Sequence, residues 1–235
     1  MSGTVIAIDG PAASGKSSTA RAVAEALGFQ HLDSGALYRG VTLVALRLAT
    51  ERGGAGDPLT VVNPEAILRS AEDRGLMLEP DGHGFSAYYQ GEPVDDEIRS
   101  AAVTAHVSAV SAVPVIREWV NARLRAMVRA GMDVVVDGRD IGTVVFPDAQ
   151  FKVFLTATPQ ARAERRLAQR GSPADPAEVA REAERLAARD HADSTRAVAP
   201  LRRADDAFNL DTTRLGFEEQ VATILALARA RLKAE

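Results

Sequence analysis

Val5-Ile6-Ala7-Ile8-Asp9-Gly10-Pro11-Ala12-Ala13-Ser14-Gly15-Lys16-Ser17-Ser18 opens the interpretable part of the chain. Its first four residues form a β-branched apolar run that stops at Asp9-Gly10-Pro11, which predicts a short buried strand. From Ser17 the pattern turns helical, with Ala20, Val23, Ala24 and Leu27 on one face and Gly28 as the stop. Between strand and helix, Gly10 to Ser17 satisfies G-x-x-x-x-G-K-[ST] in the context the motif requires. Its glycines let successive N–H groups turn toward phosphate oxygens, and the following helix adds the positive end of its dipole. Lys16 is placed to reach the β- and γ-phosphates of ATP, and the Ser17 hydroxyl to ligate Mg²⁺. The competing reading, a Gly-rich turn with a solvated Lys, explains neither the spacing nor the context.

Outward from this motif, strands and helices alternate. Phe29 to Leu32 reads as a strand, Ala36 to about Glu51 as a helix, and the run from Gly53 to Pro58 as a loop. Residues 60–100 interrupt the alternation with a helix over Pro64 to Asp73 and two short strands, Leu76 to Glu79 and Phe85 to Gln90. Gly82-His83-Gly84 fits a dinucleotide-type glycine pattern but joins two strands, so it is a hairpin turn. Helices are expected around 97–110 and 114–130, a strand at Val134-Val135-Val136, and another from Lys152 to Leu155. A helix starts at Pro159, residues 170–195 are charged and helical, and Phe208 to Leu210 precedes a last helix, Phe217 to Leu232. Alternation of this kind predicts a doubly wound parallel α/β sheet, with ligands gathered at the carboxyl ends of the strands. One domain is expected: core 1–59, an acceptor-binding insert at about 60–100, core 101–158, a helical lid at about 159–195, and core 196–235.

Composition narrows the function. The 235 residues carry 28 basic and 32 acidic side chains, a formal net charge of −4, so no global basic field for nucleic acid exists. Only three of the 28 basic residues are Lys (Lys16, Lys152 and Lys233), leaving 25 Arg, although Lys is a thin-stemmed point charge that Arg's broad fork does not replace. There is no Cys, which fits a reducing compartment. The start of the chain reads as a core strand and not as a signal peptide, and no segment has the apolar length of a membrane span. A cytoplasmic monomer acting on small molecules, with no nucleic-acid or membrane partner, is the expectation. The four His residues (31, 83, 106 and 191) show no metal-ligand spacing, and each reads as structural or surface.

Three further clusters bear on what receives the phosphate. Leu32-Asp33-Ser34-Gly35-Ala36-Leu37-Tyr38-Arg39 follows the second strand, Asp137-Gly138-Arg139-Asp140-Ile141-Gly142-Thr143 follows the Val-rich strand, and Asp193 to Leu201 lies in the late charged region. No Asn/Thr-Lys-x-Asp base-reading motif of guanine switches occurs. With the phosphate-binding motif, these clusters closely resemble bacterial cytidylate kinases of the P-loop nucleoside monophosphate kinase family, over nearly the whole chain. The resemblance implies that Ser34, Arg39, Arg139 and Arg196 clamp the acceptor dianion. It also implies that Asp140, Ser108 and Arg117 read cytosine, and that Arg189 and Asp193 lie near the sugar. An arginine fork suits a phosphate, and a carboxylate accepts from the cytosine amine but repels a uracil carbonyl.

Bland readings stand beside these. Arg39, Arg139, Ser108 and Arg117 fit ordinary surface or packing roles, Asp140 fits a turn or N-cap, and Asp33 fits a cap for the next helix. Asp137 is placed either to hold the water shell of Mg²⁺ or simply to close a turn. Arg162, Arg165, Arg166 and Arg170 share one helix face, either as lid cations on ATP or as a solvated face partly paired with Glu164. The run Gly171-Ser172-Pro173-Ala174-Asp175-Pro176 departs from the family's lid. The expected chemistry is direct in-line transfer from Mg²⁺-ATP to CMP or dCMP, with Lys16, Arg39, Arg139 and Arg196 stabilising charge. Rival readings are a kinase for UMP, dTMP or shikimate, and a non-catalytic ATP-binding switch.

Overall fold

The computed structural model describes residues 3–54, 56–129, 131–171 and 175–233. Ala55 of the expected loop, Ala130 at the expected helix end, and Ser172, Pro173 and Ala174 of the lid run lie outside the described residues. The chain begins with β1 (Val5–Asp9), α1 (Lys16–Leu27), β2 (Gln30–Asp33), α2 (Ser34–Glu51), α3 (Pro58–Val61) and α4 (Pro64–Asp73). Next come β3 (Met77–Asp81), β4 (Gly84–Tyr89), β5 (Glu92–Pro93), a 3₁₀ turn (Glu97–Arg99), α5 (Ala101–Ala112) and α6 (Pro114–Arg129). The remainder is β6 (Val134–Gly138), a π-helical turn (Ile141–Val145), β7 (Phe151–Thr156), α7 (Pro159–Gln169), α8 (Pro176–Thr195), β8 (Phe208–Asp211) and α9 (Phe217–Leu232). No helix among the described residues is long and apolar enough to cross a membrane. Two compact units arise: the chain up to His31 together with the chain from Val128 onward, and Leu32–Met127.

The first unit carries the expected parallel sheet, in the order β2-β6-β1-β7-β8. β1 pairs in parallel with β6 and β7, and its last residue, Asp9, lies opposite Gly138 on one side and Phe154 on the other. Both β1 and β6 are buried along their whole length, which is why they read as continuous apolar runs. Ala20, Val23 and Ala24 of α1 and Ile224 and Ala228 of α9 close one core over Ile6, Ile8, Val135, Val153 and Leu155. Small residues on α1 let that helix lie close to the sheet and so fix the direction in which its N-terminus points.

In the second unit, β3 and β4 pair antiparallel through the turn expected at Gly82, with β5 added at the edge. The helix expected over 97–110 is split, because Ser100 is extended and its hydroxyl accepts from Val103 N–H at 3.4 Å, starting α5 afresh. α2 begins two residues earlier than the apolar pattern implies, since Asp33 Oδ1 accepts from Gly35 N–H at 2.9 Å and caps it. α3 has no counterpart in the apolar pattern; Asp57 caps it and Pro58 opens it, a start signal on a helix too short to show periodicity.

The π-helical turn after β6 has a visible cause. Asp9 is 5% exposed, and its two carboxylate oxygens accept from the N–H groups of Ile141 and Gly142, each at 2.8 Å. Asp140 C=O receives both Val144 and Val145 N–H, widening the turn. Burial pushes the Asp9 carboxyl up to about 6 from an ordinary 3.8, only partly offset by the two N–H groups. Between those two values the native chain holds a proton that the unfolded chain has released. Stability from this group is therefore full below the lower value, falls as pH rises toward the upper, and is level beyond it. Asp9→Asn removes the dependence. Denaturant unfolding of both proteins at pH 4, 5, 6 and 7 should show the wild-type advantage shrinking by on the order of 2 kcal/mol across that range. An advantage constant with pH would contradict the assignment.

Candidate active site

Two glycines shape the phosphate cradle in the first unit. A Cβ on Gly10 would sit 2.4 Å from the carbonyl oxygen of Leu155, so the loop leaves β1 flush against β7 only with glycine there. Gly15 adopts φ 85°, the left-handed entry to α1, and Ala13 is also left-handed at φ 57°. Successive turns of this kind point backbone N–H groups into a common concavity. A cavity of about 150 Å³ opens there, lined by Ala13, Gly15, Lys16, Ser17, Ser18, Arg165, Arg166 and Gln169. Lys16 is 8% exposed, and its Nζ donates to Pro11 C=O at 3.2 Å across the loop. Ser14 Oγ is buried beside Gly10 with no hydrogen-bond partner among the described residues.

At the end of β6, Asp137 Oδ2 accepts from Ser17 Oγ at 2.6 Å, and Oδ1 lies 2.8 Å from His31 Nε2. Burial raises the Asp137 carboxyl, but the His31 contact, the Lys16 charge and the Ser17 bond outweigh it and hold the group below its ordinary range. Asp137 thus does more than close a turn: it faces the hydroxyl that the motif assigns to the metal.

The arginine face of α7 divides three ways. Arg162 is 4% exposed, donating to Ala157 C=O at 3.0 Å and Ala12 C=O at 2.8 Å and pairing with Asp190 Oδ2 at 2.5 Å. Asp190 Oδ1 in turn accepts from Ala12 N–H at 3.0 Å, so α7 and α8 together clasp both polar groups of one loop residue. Arg165 reaches the end of β8, donating to Thr212 Oγ1 at 3.0 Å and to Thr212 C=O. Arg166 pairs with Glu182 of α8 at 3.0 Å, with Arg170 3.8 Å from the same carboxylate. Burial lowers the Arg166 guanidinium somewhat against the pull of Glu182. Arg165 and Arg166 line the cavity, whereas Arg162 supports the cradle from behind.

The Gly138–Gly142 turn meets the end of α8. Arg139 Nε donates to Asp193 Oδ2 at 3.0 Å, and Arg196 Nη2 lies 3.4 Å from Asp140 Oδ1. Arg196 Nε donates to Ala199 C=O at 2.6 Å, and Asp193 C=O receives Leu201 N–H. Asp140 stands at the N-cap position of the π-helical turn, but its side chain makes no cap bond and turns toward Arg196 instead. Arg189 lies on α8 one turn before Asp193, half-buried.

Within the second unit, Ser34 is buried at the first turn of α2, and Arg39 Nη1 donates to Ile98 C=O at 3.1 Å and to Thr104 Oγ1 at 3.0 Å. Arg117 on α6 is 2% exposed, donates to Ser111 C=O at 3.0 Å, and lies over the Tyr38 ring. Ser111 Oγ donates to Ser108 C=O, so Ser108 and Arg117 meet through the α5–α6 corner. Three residues of the first unit touch Asp137, the cradle or its cavity beyond those that the sequence singles out: His31, which reads there as structural or surface, Asp190 and Gln169. A lone His in a strand and an Asp in a charged helix carry no spacing signal. Gln169 was one turn past Arg165 on the same face, and that periodicity was the available clue.

The chain also stands within a dense set of relatives. The profile of the family described as cytidylate kinase matches residues 6–230. A cytidylate kinase of Rhodococcus opacus is 42% identical over 233 residues, covering 98% of this chain and 96% of the relative. One from Geobacillus kaustophilus is 41% identical over 227 residues, covering 97% of each. One from Mycobacterium leprae is 43% identical over 234 residues, covering 98% of each. A match that runs from β1 into α9, and carries the cradle, the turn after β6 and the end of α8 with it, places this chain in the cytidylate kinase family.

Proposed function

We propose that this protein transfers the γ-phosphoryl group of ATP directly to CMP, and to dCMP, forming the diphosphate. The observation that carries this reading is membership of the cytidylate kinase family over residues 6–230. The cradle and its cavity suit the donor phosphates: inward N–H groups, Lys16, Arg165 and Arg166 all favour anionic charge. A cytoplasmic, monomeric enzyme completes the proposal, and the cysteine-free composition supports that compartment.

Mg²⁺ is part of the reading. Ser17 Oγ and Asp137 Oδ2, 2.6 Å apart, are hard oxygen donors of the kind this ion takes, the serine directly and the carboxylate through water. Bound with the nucleotide, the ion would neutralise charge on the β- and γ-phosphate oxygens. Lys16 would add its charge to the same phosphate oxygens, and Arg162 would keep the cradle in shape by its grip on Ala12. On the acceptor side, Ser34, Arg39, Arg139 and Arg196 would bind the CMP dianion and neutralise the charge that builds as the phosphoryl group moves. Asp140 would accept from the cytosine amine, Arg117 and Ser108 would donate to its acceptors, and Arg189 and Asp193 would meet the sugar. No covalent intermediate is needed, since aligning two anions and excluding water supplies the catalysis.

Two substitutions test this assignment. Asp140→Asn keeps shape but presents an amide that can donate. It should lower kcat/KM for CMP and narrow a CMP-over-UMP preference of about 10²-fold or more. Asp140→Ala should lower CMP activity and narrow the ratio without making UMP a good substrate. Equal losses on both bases would mean that the base is read elsewhere. Lys16→Ala should leave the unfolding midpoint near wild type and cut turnover at least about 10³-fold, roughly 4 kcal/mol of charge stabilisation. A folded variant keeping a tenth of wild-type turnover would sink the role given to the cradle.

A further inference from the structure

We propose that His31 is a positioning residue for the nucleotide's Mg²⁺, acting through Asp137. The inference rests on the reading that Ser17 and Asp137 anchor that ion, and extends it to a residue with no place in the motif. His31 is the second residue of β2 and is 4% exposed; Asp137 is 1% exposed at the end of β6. Its carboxylate is held on both oxygens, Oδ1 by His31 Nε2 at 2.8 Å and Oδ2 by Ser17 Oγ at 2.6 Å.

Two anchors on one carboxylate have a mechanical consequence. Each of these bonds limits rotation of the group about its Cβ–Cγ bond. When Ser17 turns a lone pair to the metal, its hold on Oδ2 weakens. A donor on Oδ1 that comes from a different strand and touches neither metal nor phosphate keeps the plane fixed while Oδ2 exchanges partners. The partner must therefore be a donor toward Asp137, which assigns the proton to Nε2. His31 has no solvent-facing work to do at this exposure. Removing it would take this donor from a buried carboxylate oxygen and loosen the carboxylate's orientation toward the ion. Outer-shell partners around a bound metal change its affinity by about 10- to 100-fold when removed.

The test is calorimetric binding of a non-hydrolysable ATP analogue to the full chain, with Mg²⁺ and with chelator. The readout is the ratio of the two dissociation constants, which needs no turnover. Wild type should bind more tightly with Mg²⁺, and Asp137→Asn should lose most of that gain. His31→Leu should shrink the Mg²⁺-dependent gain about tenfold while leaving metal-free affinity unchanged. His31→Asn, polar but too short to reach Oδ1, should do the same and serves if the leucine variant fails to fold. His31→Gln, whose amide N–H can span the gap, should keep the gain within about threefold of wild type. A His31→Leu or His31→Asn protein with the full gain, or one weakened equally with and without Mg²⁺, would overturn the proposal. Should Asp137→Asn keep the full gain, the metal reading beneath it falls as well, and the two failures are told apart by that variant alone.

Discussion

Parallel pairing of β1 with β6, in the register that sets Asp9 opposite Gly138, is the constraint on which the first unit depends. It brings the carboxyl ends of two buried strands level, so that the loop leaving one lies beside the turn leaving the other. Three contacts rely on that alignment: Ser17 to Asp137, and Asp9 to the N–H groups of Ile141 and Gly142. A slip of one residue would move the strands by about 3.3 Å, more than a hydrogen bond tolerates, and would turn the apolar faces over as well. The continuous Val134-Val135-Val136 run against Ile6-Ala7-Ile8 makes such a slip costly, because every one of these residues is buried. Core packing thus sets the position of the polar groups that do the chemistry.

Two of the three lysines hold buried positions. Lys16 and Lys152 are both nearly buried, at 8% and 7% exposed, whereas the third lysine, Lys233, is exposed. Lys152 runs its stem past Gly142, where a Cβ would be 3.1 Å from its Cδ, and delivers Nζ to Pro147 C=O and to Asp206 at 2.8 Å. A narrow stem ending in a compact charge suits both buried positions. Arginine serves where a fork can bridge several partners, as Arg162 does between Ala157, Ala12 and Asp190.

Strand and helix periodicity made the parallel sheet, the hairpin at Gly82 and the last helix legible, the last to the residue. What escaped was set by single side chains. Ser100 restarts a helix, Asp33 starts one early, and Asp9 widens a turn, each by bonds to backbone N–H groups that no periodicity encodes. The cradle was legible because its chemistry is contiguous in sequence. The arginines of α7 were legible as a face but not in their partners, since Glu182, Thr212 and Asp190 come from three distant places in the chain. His31 was invisible for the same reason: its meaning lies in the strand beside it.

In the proposed reaction one phosphoryl group passes from nucleotide to nucleotide without water intervening. Phosphorus NMR of the enzyme with Mg²⁺, ATP and CMP follows this directly. The γ-phosphate signal of ATP should decline in step with a growing β-phosphate doublet of CDP, with orthophosphate a minor product, and ATP should persist when CMP is withheld. Orthophosphate formed at the same rate with or without CMP, or ATP left intact in its presence, would contradict the claim.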